Sequence, residues 1–545
     1  MEHSALHGLL LTGLILALSG PLAVLWLFLP AWRSLKAGPG GDRIKEALIT
    51  RAARWVTIGA GMSAFATVCD IFVGVAEIQG QTVFGGVDMG DVFRFMTETT
   101  VGHLTLLRIA FLLFTLAAAA LRPAWKWWLV AGLATAAIFV TSLVSHAAAQ
   151  PDHRAPAIAF QFIHIAAAAA WIGVLLHLHA SRKVLLASSD SAEVRFIAEV
   201  VRRFSPVALL ATSLLALTGV ISAIRFIGDF GALATSAYGL TLLVKLVLLM
   251  PVVTAGFINF RFVRPALAQA ARRASDAGVV VRRFVRTLEL EVIAGVLLLI
   301  VAGVLGSVSP PGSDGTLRLT PAQVRVFPIP HLPTTAISNP ADDPQSPIIT
   351  EEDMRYSEFT HNWSGVMVIL LGLGWLGMSL GGRVGVWAGR IFPFFLVLFG
   401  CFVAVLANPE LWWLRQISPM QALRDPIIVE HQMGALMVFV LAWLAWRDRK
   451  NPESLRPLGY PLPIIMIIGS LLLLGHAHSA LSVPDDLTNL INVQHAVFGA
   501  FGLFAGTSRL LLLRGLIPNT PARFVWPAFV VGLGVFMAFF YRELV

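Results

Sequence analysis

Ser145–Ala180 reads SHAAAQPDHRAPAIAFQFIHIAAAAAWIGVLLHLHA. It closes one apolar helix at His146, crosses a short polar turn, and enters a second apolar helix with His164 expected about one turn inside. The turn is too short to hold the two helix ends far apart. His146, His153 and His164 are therefore expected near one membrane surface. Imidazoles gathered where hydrocarbon meets water point to a borderline or soft metal, or to haem iron.

The rest of the 545-residue chain repeats this pattern. Hydrophobic residues make up 57% of it and its mean hydropathy is +0.77, which excludes an ordinary soluble domain. Apolar runs of about 20 residues, each able to cross about 30 Å of hydrocarbon, are expected at 8–30, 54–78, 103–121, 125–149, 156–180, 205–227, 239–260, 288–306, 362–381, 385–406, 427–447, 461–480, 490–512 and 523–541. The fold expected is all-α: a polytopic membrane protein of about fourteen transmembrane helices. The N-terminal run has no basic leader region and reads as a retained first span. Residues 308–360, rich in Pro, Asp, Ser and Thr, read as an external linker. The division expected is an eight-helix domain at 1–307, the linker, and a six-helix domain at 361–545.

Charge orients the spans. Every second loop is basic, from Arg33, Lys36, Arg43, Lys45, Arg51 and Arg54 after the first span to Arg509–Arg523 before the last. The loops between are poorer in base and carry Asp88, Asp91, Glu98, Asp485 and Asp486. The positive-inside rule then places both termini outside. The +9 formal charge is thus a cytoplasmic-loop signature, and no nucleic-acid partner is expected.

Of the fourteen histidines, this topology puts twelve outside or in the outer leaflet: His3, His7, His103, His146, His153, His164, His331, His361, His431, His476, His478 and His495. Only His177 and His179 fall at an inner helix end. Solubility alone would not select imidazole so consistently over Lys, Asp or Ser.

In the first half, SHAAAQ and FQFIHIAAAAAWIGVLLHL (His146, His164, Trp171, Gly173) are followed by VRRFSPVALLATSLLALTGVISA (Arg203, Phe204, Ser205, Thr218, Gly219). Next come SAYGLTLLVKLVLL (Tyr238, Gly239, Lys245) and RTLELEVIAGVLLLIVAGVL with a later SPP (Glu291, Pro310, Pro311). In this order, across about residues 1–311, the set resembles the CopD-type copper resistance family of bacterial inner-membrane proteins. The second half, with HNWSGVMV, RDPIIVEHQMGALMV, GHAHSAL, NVQHAVFGAFGL and a closing YRE, is similar to an extra helical domain fused to longer members. The resemblance implies copper handling in the inner membrane alongside a periplasmic copper-binding partner of the CopC type. The family pattern has a non-His residue where this chain has His103, so a site using His103 would be peculiar to this protein.

Two candidate constellations follow. His146 and His164, with His103, His153 or a Met as a further ligand, are candidates for copper; the competing reading is polar residues capping helix ends. His361, His431, His476, His478 and His495 near the outer ends of four spans are candidates for copper or for a b-type haem, which needs paired inward imidazoles. His476 and His478, two residues apart, face different sides of a helix that persists there, so at most one is expected to point inward, leaving His478 the weaker ligand. A hydrogen-bond network tying helices together is the alternative. Asp425 and Glu430 are either acceptors orienting His431 or solvated. Asp70 and Glu77, two turns apart on the second span, are intramembrane carboxylates and functional candidates for that reason. Lys245 and Glu291 are given structural roles. Cys69 and Cys401 lie in different halves and form no CxxC pair.

No P-loop, GxSxG, HExxH or dinucleotide fingerprint occurs in a usable context. The leading expectation is a copper transport or resistance protein, a transporter in preference to an enzyme, taking up or holding copper at His-lined outer sites. The alternatives are a haem-binding membrane electron-transfer protein, acting as a copper or quinone oxidoreductase, and an assembly factor delivering copper to an oxidase.

Overall fold

A computed structural model describes residues 2–544 apart from 36–38, 80–81, 84–85, 150–152, 188–190, 274–276, 312–316, 336–349, 413–416, 449–458 and 475–484. The described chain is helical, and no strand occurs among the described residues. Thirteen of its helices are long and apolar enough to cross a membrane: α1 (His3–Leu35), α2 (Gly41–Ile78), α3 (Thr100–Ala120), α4 (Lys126–Leu143), α5 (Arg154–Ala180), α6 (Ala192–Ile227), α7 (Ala237–Arg272), α8 (Gly278–Leu305), α9 (Glu351–Leu380), α10 (Gly382–Leu406), α11 (Ile427–Arg447), α13 (Asp486–Leu513) and α14 (Ala522–Phe539). The span expected at 461–480 is the shorter apolar helix α12 (Pro461–Leu474), and its remaining residues lie outside those described. The protein is an all-α, multi-pass membrane protein.

Several helices outrun the expected spans. α2 and α6 extend well before residues 54 and 205 because Arg43, Lys45, Arg51, Arg202 and Arg203 continue the helix into the basic face. There they pair with acidic neighbours: Arg43 with Glu193, and Arg202 and Arg203 with Glu199. Several helix starts are fixed by side-chain caps. Thr99 accepts from the Gly102 amide ahead of α3 and Ser236 from the Gly239 amide ahead of α7. α9 begins at Glu351, not 362, because Thr350 and Asp353 form a reciprocal capping box and three acids fill its first turn. The last ten residues read as linker are therefore helical.

α1 is the hub of the first half. In it 78% of the apolar stretch is buried, against 11% in α6. It packs on α2, α4, α5 and α8, and small residues let the backbones close up. A Cβ on Gly59 of α2 would lie 2.7 Å from the Gly13 carbonyl oxygen of α1. Gly8 of α1 meets Gly303 of α8 in the same way. In the second half α9 pairs with α14 and α10, α10 with α11, and α13 with α12 and α14. The halves meet where α13 lies on α7. Large apolar side chains such as Phe65, Leu209, Ile224, Met250 and Trp443 face outward, as lipid-facing surface does.

Candidate metal centre

Two groups of imidazoles form, one at the same end of each half. The first is built on α1. His3 and His7 are four residues apart on one helix and so share a face. Asp70, near the end of α2, stands 2.9 Å from His3 Nδ1, close enough for an ion pair but off the line of a good hydrogen bond. His7 Nε2 lies against Gly306, where a Cβ would approach within 2.8 Å. His146, in the short helix His146–Ala149, lies within electrostatic reach of the Gly306 backbone. Its Nε2 is buried and makes no hydrogen bond. Burial holds the His146 imidazole below its ordinary range. His7 is within electrostatic reach of Asp70, His3, Arg108 and His146, and His3 within that of Glu77. A hydroxyl pair, Ser4 and Ser307 with oxygens 2.5 Å apart, closes the α1–α8 seam beside them.

Sequence reasoning placed His3 and His7 on the outer side without making them ligands, and treated Asp70 apart from them. The i, i+4 spacing of the two histidines was the available signal. The sequence groups His146 with His164 and with His103 or His153, and the helix His146–Ala149 packs on the stretch of α5 that carries His164. His164 is ten residues into α5, nearly three turns rather than one, because that helix starts at Arg154. Its Nδ1 is 2.8 Å from Thr218 Oγ1, which itself donates to the Leu214 carbonyl at 2.6 Å and so accepts from the imidazole. His103 is exposed and donates from Nε2 to the Thr97 carbonyl at 2.7 Å. His153 is exposed, in the left-handed conformation that precedes α5.

The second group brings together His361 of α9, His431 of α11 and His495 of α13. The His361 ring centroid is 5.5 Å from that of His495 and 6.4 Å from that of His431. His361 Nδ1 donates to the Ser357 carbonyl and His495 Nδ1 to the Ile491 carbonyl, each at 2.9 Å. Both rings thus keep Nε2 as the lone-pair nitrogen. Tyr541 stacks on His361 at 4.2 Å and 21°, and Phe498 packs on both His361 and His495. The tail after α14 is tied down over them. Tyr541 donates to Glu543 at 2.5 Å, with Ser357 donating to the same carboxylate. Glu358 accepts the Glu543 and Leu544 amides at 2.6 and 2.9 Å. Burial raises the Tyr541 hydroxyl well above its ordinary pKa and pushes Glu543 up to about 7. Asp425 accepts the Ile427 amide at 2.8 Å and so caps α11. His476 and His478 lie outside the described residues. Among the described residues, no group of three or more His, Cys, Asp or Glu side chains is placed to hold a metal ion.

Comparison with known proteins agrees with the resemblance. Residues 4–155 match the family "Copper resistance protein D-like, N-terminal domain", and residues 198–305 match "Copper resistance protein D". The chain is similar to the copper transport protein CutJ of Bacillus subtilis, 32% identical over 167 residues, which is 30% of this chain and 28% of that protein. No solved structure matches. Both family matches fall on α1–α8, the eight-helix half of this chain.

Proposed function

We propose that this protein is a copper transport or resistance protein of the bacterial inner membrane, accepting copper at imidazole-lined sites on the periplasmic side and moving it inward or holding it there. The observation that carries the reading is that the two copper-resistance family matches fall on the half of the chain that carries His3, His7 and His146. The donor type agrees, because neutral imidazole with its lone pair exposed binds copper in either oxidation state. A small periplasmic copper carrier of the CopC type is the partner proposed to deliver the ion. With no nucleotide motif in the chain, movement of copper would draw on a gradient or on handover from that partner. In this reading 1–307 is the copper-handling domain and 361–545 a second His-bearing domain joined through the linker.

One observation favours haem in the second domain. His361 and His431 sit on different helices with centroids 6.4 Å apart, and two imidazoles on opposite sides of one iron are separated by roughly 6 Å. A b-type haem protein transferring electrons, or a factor delivering copper to an oxidase, is the second reading.

Copper analysis and a visible spectrum of the detergent-purified protein test both readings. The copper reading expects at least one copper per chain after loading and dialysis, with no Soret band. A strong Soret band with sharp reduced α and β bands, lost in His431→Ala, would replace it with the haem reading. Absence of both copper and haem would overturn both.

A further inference from the structure

We propose that Glu291 is a proton-binding site inside the first helical bundle, loaded and unloaded as α7 shifts against α8; that its proton drives movement of copper rests on the copper reading above. Glu291 is 2% exposed and lies well inside α8. Arg286, at the basic end, is about 7 Å away along the helix axis, and Leu305, at the other end, about 21 Å. Its Oε1 accepts a hydrogen bond from Asn259 Nδ2 of α7 at 2.9 Å. Thr287 Oγ1 donates to Asn259 Oδ1 at 2.5 Å, which turns the amide N–H toward the carboxyl. Among the described residues, no cation stands within ion-pair distance of Glu291. A carboxylate in a membrane span with only a neutral amide beside it is costly when ionised, and a proton removes the charge. Oε1 is already an acceptor, so the proton is carried on Oε2.

The local structure of α7 explains both the contact and how it would break. Gly256 leaves room for the carboxyl: a Cβ there would lie 3.4 Å from Glu291 Oε1. Asn259 then opens a π-helical turn, Asn259–Val263, a widened turn frequent at functional sites. Pro251 lies earlier in the same helix and removes one of its backbone bonds. The ladder of α7 is thus weakened on both sides of the contact, and tightening the π turn moves Asn259 relative to α8. The O–H bond on Oε2 forms with a proton from water at one face and breaks to water at the other.

The other ionisable groups on the helices packed against α8 are engaged elsewhere. His177 of α5 donates from Nε2 to the Leu16 carbonyl of α1 at 3.2 Å, and His164 is bonded to Thr218. Lys245 is four turns back along α7 from Asn259, and Arg261 and Arg264 lie over the Phe262 and Phe260 rings. Arg182 donates to the His179 carbonyl at 3.5 Å, and α12 carries no ionisable residue. On α8 itself, Glu289 pairs with Arg514 and Arg286 bonds the Gly515 carbonyl.

The test is infrared difference spectroscopy of the full-length protein in liposomes between acid and alkaline buffer, followed by copper uptake with a pH dye trapped inside. The wild type is expected to show the C=O band of a protonated carboxyl, bleached in alkali. Glu291→Gln should lose the band. Asn259→Ala should shift it to higher frequency, because the bond to Oε1 is gone. Copper uptake in the wild type should move protons and respond to an imposed pH gradient, and Glu291→Gln should lose both properties. A wild type without a titrating carboxyl band overturns the proposal whether or not a variant folds. So does a band that survives in folded Glu291→Gln, which assigns it to another carboxyl. Copper uptake without proton movement in the wild type overturns the coupling and leaves the copper reading in place. The expected band with no copper moved supports the proton site and overturns copper transport instead.

Discussion

Close backbone contact locks helices in both halves, but the surroundings of the imidazoles differ. In the first, the polar groups near His3 and His7 are a carboxylate, a guanidinium and hydroxyls. In the second, a third or less of the apolar stretch of α9, α10, α11 and α14 is buried, and His361 and His495 sit within an aromatic sheath of Tyr541 and Phe498. A polar, adjustable mouth suits capture of an ion arriving from water. An aromatic pocket with two rings fixed by their own helices suits a ligand that stays.

The largest effect should come from breaking what makes the first half rigid. Gly59→Leu would force a side chain into the Gly13 carbonyl and the Leu16 Cβ, each 2.7 Å from the new Cβ. Overpacking of this kind costs up to about 3 kcal/mol or more. The purified variant is expected to lose monodispersity or melt well below wild type. Gly132→Ala, where a Cβ meets nothing within 4 Å, should be neutral or slightly stabilising, by up to about 1 kcal/mol. Equal melting of the two variants would show that close approach on α1 is not what holds this half.

The second half should instead respond to pH. Glu543 is buried, and its folded pKa of about 7 lies above the 4.5 of an unburied glutamate. The folded state therefore binds its proton more tightly than the unfolded state does. The stability this contributes is complete below about pH 4.5 and is lost as pH rises through 7. A shift of this size corresponds to at most about 3 kcal/mol. Thermal melting between pH 5 and 8 should show the midpoint falling as pH rises, and Glu543→Gln should flatten the fall. A midpoint that rises over that window would contradict the buried, protonated tail.

The span pattern and the division of charge were legible because lipid imposes a simple rule, about twenty apolar residues between alternately basic loops. Helix lengths beyond the bilayer were not legible. Arg43, Arg202 and Arg203 read as loop charges, yet each has an acid on a neighbouring turn or helix that lets the helix continue. At the candidate sites, His361, His431 and His495 were legible as a group because each lies near the same end of a separate span. The grouping of His146 was not. His153 is exposed and His164 is bonded to Thr218, while His3 and His7 lie more than 130 residues away in sequence. Pairing between distant helices depends on where Gly8, Gly303 and Gly306 allow close approach, and residue type alone does not reveal which glycines do so. Tyr541 was missed for the same reason, since nothing local places a tail residue over a histidine on α9.

His164 gives the smallest and sharpest test, because it separates a ligand from a structural histidine. Thr218 accepts from its Nδ1 and donates to the Leu214 carbonyl. Thr218→Val keeps the shape but removes the acceptor, leaving the imidazole N–H without a partner, a cost of about 1–3 kcal/mol. Thr218→Ser restores the hydroxyl and should recover most of the loss. If His164 serves only to tie α5 to α6, the valine variant melts lower while its copper affinity stays that of wild type. If His164 is a ligand, the lost orienting bond should also weaken copper binding by about 10–100-fold, and serine should rescue both properties together. The first outcome is expected, since the Nδ1 of His164 is already bonded to Thr218, which ties α5 to α6.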